Sequence, residues 1–189
     1  MKNIGFFGGS FDPIHLGHLN LAVQLLESGQ VDEILFCPAF CSPLKLQAPP
    51  LASGFHRLEM IRRVIADVPQ FKVSSVEIDR GGPSYSIDTI RALSKDGVCY
   101  RLIVSQSTAA SFDLWKESKE LIRLAPPLIG MRGSDPVPPG FTAVQTELFD
   151  VSSTQVRDRI KKKIYCGHLL PTIALDYIEE HRLYYPSNQ

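Results

Sequence analysis

The chain has 189 residues, a length that fits one compact domain and excludes a large multidomain protein. Hydrophobic residues make up 44% of it and charged residues 21%, as in globular proteins that fold without disulfides or a structural metal. The 20 basic side chains balance the 20 acidic ones, so no overall field attracts nucleic acid or an anionic membrane. We therefore expect a single domain over residues 1–189, in which any phosphate site is local.

Targeting and cysteine patterns are both unremarkable. The N-terminus lacks a signal-peptide core, and no apolar run reaches the roughly 18 residues that a membrane span needs, so we expect a soluble, cytoplasmic protein. Cys37, Cys41, Cys99 and Cys166 are scattered, with no C-x-x-C pair. They are interpreted as reduced, mostly buried thiols, with a metal or redox role for Cys37 and Cys41 as the alternative.

Hydrophobic periodicity and turn residues predict strands that alternate with helices along the chain. The predicted strands cover residues 4–7, 33–38, 71–78, 100–104, 127–131 and 141–148. The predicted helices cover 15–28, 55–67 with Ser53 as cap, a stretch over 87–93 capped by Ser84 or Ser86, 117–125, 152–163 and 171–181. Proline and glycine mark long loops at 39–54 and 132–140. Long loops in compact domains tend to be functional.

This alternation predicts an α/β fold, a doubly wound and mainly parallel sheet with helices on both faces and a helical C-terminal segment. In such a sheet, ligands bind beyond the carboxyl ends of the strands, where the strand order reverses. The alternation itself does not specify a reaction.

The first strand leads through GGSFDPIHLGHL into a helix, which places backbone N–H groups and a positive helix end at that edge. The segment matches neither G-x-G-x-x-G nor G-x-x-x-x-G-K-[ST], which argues against a dinucleotide dehydrogenase and a P-loop kinase. His15 and His18 are three residues apart and share one helix face. They are interpreted as donors to phosphate oxygens; a zinc site without a visible third ligand and a pair of ordinary histidines are the alternatives. Gly17 between them leaves the backbone uncovered.

A second strand-to-helix turn also presents a helix N-terminus that could bind an anion. Ser152, Ser153 and Thr154 open the predicted basic helix that carries Arg157 on its first turn. Hydroxyls and N–H groups at a helix N-terminus form an anion site, and the guanidinium can grip a phosphate with two hydrogen bonds. A plain N-cap on an amphipathic helix is the alternative.

GGSFDPIHLGH resembles the G-[ST]-F-D-P-x-H-x-G-H signature of the nucleotidylyltransferase superfamily, and VSSTQVRDRI resembles its I-S-S-T-x-I-R signature. EIDRGGPSYSIDTI and the ending LLPTIALDYIEEHRLY are most similar to the bacterial nicotinate-nucleotide adenylyltransferases. The resemblance spans nearly the whole chain. It implies a Rossmann-like fold and the transfer of AMP from ATP to nicotinate mononucleotide, which gives deamido-NAD and pyrophosphate in NAD biosynthesis.

The resemblance also implies roles for individual residues. The catalytic group, expected to supply positive charge and alignment around the phosphates, is His15, His18, Lys45 and Arg157. The implied ATP-binding residues are Gly8, Gly9, Ser10, Phe11, Gly17, Ser105, Ser107, Ser152, Ser153 and Thr154, and those for the mononucleotide are Ser84, Tyr85, Ser86 and Trp115. Mg²⁺ is expected on the ATP phosphates, with no metal ligand from the protein. ATP and nicotinate mononucleotide are the implied partners; nucleic acid and membranes are not, and homo-oligomerisation is left open.

The chain departs from the family pattern at three positions. Ser105-Gln106-Ser107 stands where G-x-D is usual, so the carboxylate expected to hold the adenosine ribose is missing. Leu44 replaces a histidine before Lys45, and Ser86 replaces a threonine. Weaker ATP binding is therefore expected. The alternative functions are a phosphopantetheine-type adenylyltransferase, a cytidylyltransferase, and a nucleotide-binding homologue that has lost turnover.

Overall fold

The computed structural model describes residues 1–131, 136–147 and 149–186, apart from the side chains of Lys45 and Ser107. The strands are β1 (Lys2–Gly9), β2 (Glu33–Pro38), β3 (Phe71–Val73), β4 (Val98–Ser105), β5 (Leu128–Met131) and β6 (Thr142–Gln145). The α-helices are α1 (Leu16–Glu27), α2 (Gly54–Val64), α3 (Val76–Arg80), α4 (Ser86–Leu93), α5 (Gln106–Ala109), α6 (Ser118–Leu124), α7 (Ser153–Lys161) and α8 (Thr172–Glu180). Two short 3-10 helices cover Pro43–Lys45 and Phe112–Leu114.

The six strands form one parallel sheet in the order β3-β2-β1-β4-β5-β6. The strand order reverses between β1 and β4, which are direct neighbours with Ile4 opposite Tyr100. This is the order of a doubly wound sheet, whose ligand crevice lies at that reversal. The predicted fold class is confirmed.

The side chains of each buried strand alternate between two apolar cores, one on each face of the sheet, because successive residues of a strand point to opposite sides. Phe7 packs with helices α1, α2, α7 and α8, whereas its neighbour Phe6 packs with α4 and α6. In β4, Ile103 belongs to the first core, and Leu102 and Val104 belong to the second. The C-terminal helices are thus part of the first core, and Leu16 at the start of α1 donates its N–H to the carbonyl of Leu169.

The structure corrects the predicted strand over 71–78. β3 ends at Val73, and the chain then turns into helix α3, in which Glu77 is buried and accepts a hydrogen bond of 2.6 Å from the hydroxyl of Thr89. A hydrophobic pattern does not reveal a carboxylate that is buried with a polar partner, as Glu77 is here.

Several shorter differences concern element ends. β6 is shorter than its predicted range, and residue 148 lies outside the described residues, as does the 132–135 part of the predicted loop. Helix α5 and the two 3-10 helices were not predicted; one 3-10 helix lies inside the 39–54 loop, whose final residue, Gly54, already belongs to α2. Ser53 caps α2 as expected, since its side chain accepts from the N–H of His56.

The four cysteines are free thiols; Cys37 and Cys166 are buried, and Cys41 and Cys99 are half-buried. Within the described ranges, no helix combines the length and the apolar character needed to cross a bilayer.

Candidate active site

A cavity of about 1180 Å³ lies at the carboxyl ends of β1 and β4. It exceeds the roughly 300–1,000 Å³ that is usual for small-molecule sites, so it has room for two nucleotides. All of the predicted site residues except Lys45 and Ser107 line it: Gly8, Gly9, Ser10, Phe11, His15, Gly17, His18, Ser84, Tyr85, Ser86, Ser105, Trp115, Ser152, Ser153, Thr154 and Arg157. The side chains of Lys45 and Ser107 lie outside the described part of the chain.

The two histidines at the start of α1 form one stacked unit. Their ring centroids are 3.6 Å apart with 22° between the planes. His18 Nδ1 accepts a hydrogen bond of 3.2 Å from the main-chain N–H of His15. Because Nδ1 of His18 is an acceptor, the proton of the neutral ring lies on Nε2, where it can be donated to a ligand.

Burial keeps both rings uncharged at neutral pH. It lowers the pKa of His15 from 6.5 to about 4. Burial also lowers the pKa of His18 well below 6.5, and the neighbouring His15 lowers it further. The edges of Phe7 and Phe11 contact the His18 ring at centroid distances of 5.9 and 4.9 Å. The pair thus offers a hydrogen-bond donor at this edge of the cavity.

Gly17 lets these rings pack against the helix. A Cβ atom at Gly17 would lie 3.1 Å from the His15 ring and 3.3 Å from the carbonyl oxygen of Phe149. Such distances are tighter than ordinary van der Waals contact. The glycine of the motif therefore serves the placement of His15 as well as access to the backbone.

Arg157 joins the two predicted anion turns. Its guanidinium donates to the carbonyl oxygen of Asp12 at 2.7 Å and to Oγ1 of Thr154 at 3.2 Å. Ser152 is the N-cap of α7 and accepts from the N–H of Gln155, and Ser153 donates to the carbonyl of Pro13. These contacts hold the start of α7 against the first motif and place a cation at the wall of the cavity.

Another part of the cavity wall is formed by the start of α4 and by Trp115. Tyr85, and neither of the predicted Ser84 and Ser86, is the N-cap of α4, with no hydrogen bond from its side chain to the helix. Ser84 is used elsewhere, because its hydroxyl accepts from the N–H of Phe40 at 3.0 Å. The Trp115 ring stacks on Phe112 with centroids 5.1 Å apart, and its buried Nε1 has no hydrogen-bond partner among the described residues.

Ser105 caps the short helix α5. Its hydroxyl accepts from the N–H of Thr108 at 3.3 Å and lies 2.8 Å from Oγ1 of the same residue. This cap begins a helical turn directly at the end of β4, at the position where the family pattern has glycine.

Sequence reasoning missed the buried Arg57. It is 1% exposed and donates to the carbonyl oxygens of Ser10, Ala39, Phe40 and Ala52 at 2.6 to 3.3 Å. One guanidinium thus ties the glycine-rich turn to the loop after β2. Arginine on the apolar face of a predicted helix, next to Leu58, was the available signal.

Asp12 was also missed. Its carboxylate is buried and accepts hydrogen bonds from the N–H groups of Leu51 and Ala52 and from the hydroxyl of Tyr184. Its position within the first motif was the available signal, but the distant partners were not visible in the sequence.

The described residues contain no group of three or more His, Cys, Asp or Glu side chains arranged to hold a metal ion.

Comparison with known proteins identifies the family and the fold that this chain shares. The family model described as cytidylyltransferase-like matches residues 6–159, which include both anion turns. In solved structures, the chain is similar to the Plasmodium falciparum nicotinic acid mononucleotide adenylyltransferase complexed with NaAD, with a TM-score of 0.79. That match covers 97% of this chain and 98% of the other at 19% identity, so it shows the shared fold.

Individual relatives identify the group of proteins within this family to which the chain is similar. The chain is 37% identical over 191 residues to the nicotinate-nucleotide adenylyltransferase of Bacillus subtilis, covering 97% of this chain and 99% of that protein. It is 36% identical over 196 residues to the probable nicotinate-nucleotide adenylyltransferase of Methylacidiphilum infernorum, covering 97% and 93%. The chain therefore belongs to the cytidylyltransferase-like family and, within it, to the nicotinate-nucleotide adenylyltransferases.

Proposed function

We propose that this chain transfers AMP from ATP to nicotinate mononucleotide and releases pyrophosphate. The observation that carries the proposal is the convergence of the two signature turns, through Arg157 and Asp12, on a cavity with room for two nucleotides. Membership of the family supplies the identity of the two substrates.

The reaction needs alignment and charge more than proton transfer. An oxygen of the mononucleotide's 5′-phosphate attacks the α-phosphorus of ATP, and the bond from that phosphorus to the bridging oxygen of pyrophosphate breaks. The attacking phosphate carries roughly −1.5 to −2 charge at neutral pH, so it needs no general base. The protein's task is to hold the two phosphates in line and to stabilise negative charge on the non-bridging and leaving oxygens.

The histidine turn suits the α-phosphate. His18 presents Nε2–H as a donor, because its Nδ1 is already engaged by the backbone. A neutral donor in a dry, fixed position stabilises developing charge without reorganisation. Arg157 and the N-terminus of α7 are proposed to bind the β- and γ-phosphates, and Lys45 is proposed to approach from the 39–54 loop.

Mg²⁺ is proposed as the metal, bound to the ATP phosphates. It would offset their negative charge and keep the pyrophosphate a good leaving group. No carboxylate cluster in the described residues competes for that role.

The other end of the cavity suits a pyridine ring that carries a carboxylate. Trp115 is backed by Phe112, so its ring is a rigid stacking surface. The α4 N-terminus has no side-chain cap, and its N–H groups favour an anion over a neutral amide.

Pyrophosphate release with ATP and Mg²⁺ tests the function against its alternatives. The purified chain should turn over with nicotinate mononucleotide and far less with nicotinamide mononucleotide or phosphopantetheine, and CTP should not replace ATP. Turnover only with phosphopantetheine or with CTP would assign the chain to one of the sister enzymes. Nucleotide binding without turnover on any acceptor would make it a binding homologue.

A further inference from the structure

A lysine beside Trp115 brings a positive charge to the mononucleotide end of the cavity. Lys116 lines the cavity together with Ser84, Tyr85 and Ser86. Its Nζ lies 2.8 and 2.9 Å from the two carboxylate oxygens of Asp88, and 4.9 Å from the centroid of the Tyr85 ring. The ammonium is thus held at the first turn of α4, next to the uncapped N-terminus.

The residues before and after Lys116 in the sequence keep this lysine in place. Glu117, with φ at 52°, receives two hydrogen bonds of 3.0 and 2.6 Å from the guanidinium of Arg91 in α4. On the other side, the ring of Trp115 is stacked on Phe112. Lys116 therefore lies between two anchored residues, which limits the positions its long side chain can reach.

We propose that Lys116 is a specificity-determining residue that selects a pyridine mononucleotide with a carboxylate over one with a neutral amide. The inference rests on the proposed function, in which the ring binds at this end of the cavity. A carboxylate there gains from the ammonium and from the start of α4, whereas an amide gains little from either charge.

Asp88 makes it possible to test the direction in which charge at this position changes the preference for the acid. Its carboxylate faces the same ammonium and offsets part of its charge. Removing the lysine makes the site less positive, and removing the aspartate makes it more positive. If the pair served only to hold the Trp115 segment on α4, both changes would loosen that segment and act in the same direction.

The experiment measures the dissociation constants of nicotinate mononucleotide and nicotinamide mononucleotide by calorimetry, together with kcat/KM for both. Lys116→Met should weaken binding of the acid by about two- to fivefold, the range expected for a half-exposed charge screened by water, and should leave the amide nearly unchanged. Asp88→Asn should shift the preference toward the acid. Lys116→Arg should retain the wild-type preference for the acid. Lys119→Met removes another exposed lysine and is the control for a change of net charge alone.

Salt provides a further check, because the wild-type preference should shrink with added NaCl while that of Lys116→Met changes less. Equal losses for the acid and the amide in Lys116→Met, or a loss of acid preference in Asp88→Asn, would overturn the proposal and leave the pair as a structural strap. Failure of the proposed function has a different signature, since the wild-type protein would then not turn over nicotinate mononucleotide at all.

Discussion

His18 combines two properties that would conflict on an exposed side chain: it is neutral, and it has one defined donor atom. Its Nδ1 accepts from the His15 N–H, and burial lowers its pKa. The neutral ring avoids the cost of burying a charge before ATP arrives. A protonated histidine would carry a charge but would lose the acceptor that orients the ring.

Replacing His18 by alanine should lower kcat by roughly 10²–10³, the loss typical when one donor to a developing oxyanion is removed. The KM for ATP should change less, because the interaction strengthens in the transition state. Arg157→Ala is the comparison variant, and it should raise the KM for ATP more. Near-normal turnover in a folded His18→Ala protein would contradict the assigned role.

His15 makes folding stability depend on pH. Its pKa falls from 6.5 in an unfolded chain to about 4 in the folded protein, so the unfolded state binds more protons between these values. Stability therefore decreases as pH falls through that window, by about 1.5 kcal/mol between pH 6.5 and 5. Urea unfolding at pH 7 and 5 should show a smaller loss for His15→Asn than for the wild type.

The control for that measurement is His168→Asn, at an exposed histidine. This variant should lose as much folding stability between pH 7 and 5 as the wild type does. An unchanged pH dependence in His15→Asn would mean that other groups cause the acid sensitivity.

At the scale of elements, helices α1, α4 and α7 begin at the same cavity, as does the short helix α5. The N-terminal residues of α1, α4 and α7 all line it. For α1, α5 and α7 this follows from the parallel sheet, in which each strand delivers the chain to the same edge before a helix begins, whereas α4 follows helix α3. Each helix contributes a positive end, so a chain with no net charge still has a local positive potential at this cavity.

Gly17→Ala distinguishes the effect of residue 17 on the stability of helix α1 from its effect on the position of the active-site rings. Alanine favours a helix by about 1 kcal/mol over glycine, but its Cβ would press on the His15 ring and the Phe149 carbonyl. We expect the free energy of unfolding to change by less than about 1 kcal/mol, while kcat falls about tenfold through misplaced rings. Val23→Ala, on the exposed side of α1, should leave kcat unchanged. Wild-type turnover in Gly17→Ala would show that the ring position is not critical.

At the scale of the whole molecule, Asp12 connects the N-terminal motif to the end of the chain. The hydroxyl of Tyr184 donates to its carboxylate at 2.9 Å, and Arg157 donates to its carbonyl oxygen. Burial and the nearby Asp12 carboxylate raise the pKa of Tyr184, so the phenol stays a donor. The C-terminal segment thus supports the residue that positions Arg157.

Tyr184→Phe should lower the free energy of unfolding by about 1.5–3 kcal/mol, the usual value of a hydrogen bond to a charged group. The KM for ATP should rise as well, since the Asp12 carbonyl that holds Arg157 loses support. Tyr185→Phe removes a hydroxyl from the next residue and is the matched control. Equal, small effects of both changes on urea unfolding would show that the contact with Asp12 contributes little.

The sequence allowed the sheet, most of its helices and the two strand-to-helix turns to be predicted, because these depend on local periodicity and on turn residues next to one another. Elements governed by distant partners were not predictable. Glu77 is buried and hydrogen-bonded to Thr89 within a helix, in a segment where alternation indicated a strand. Arg57 and Lys116 were missed for the same reason, since their partners are scattered along the chain.

The amino-acid sequence by itself determined the fold class, the family and the two strand-to-helix turns that we propose bind phosphate, since each follows from patterns within about a dozen neighbouring residues. Tertiary structure alone decided that these turns meet at Asp12 and Arg157, that Ser84 supports a loop instead of capping α4, and that the two histidines are neutral. Contacts and burial arise from residues distant in the chain. A pKa depends on the solvent and charges that surround a group in space, and no local pattern contains them.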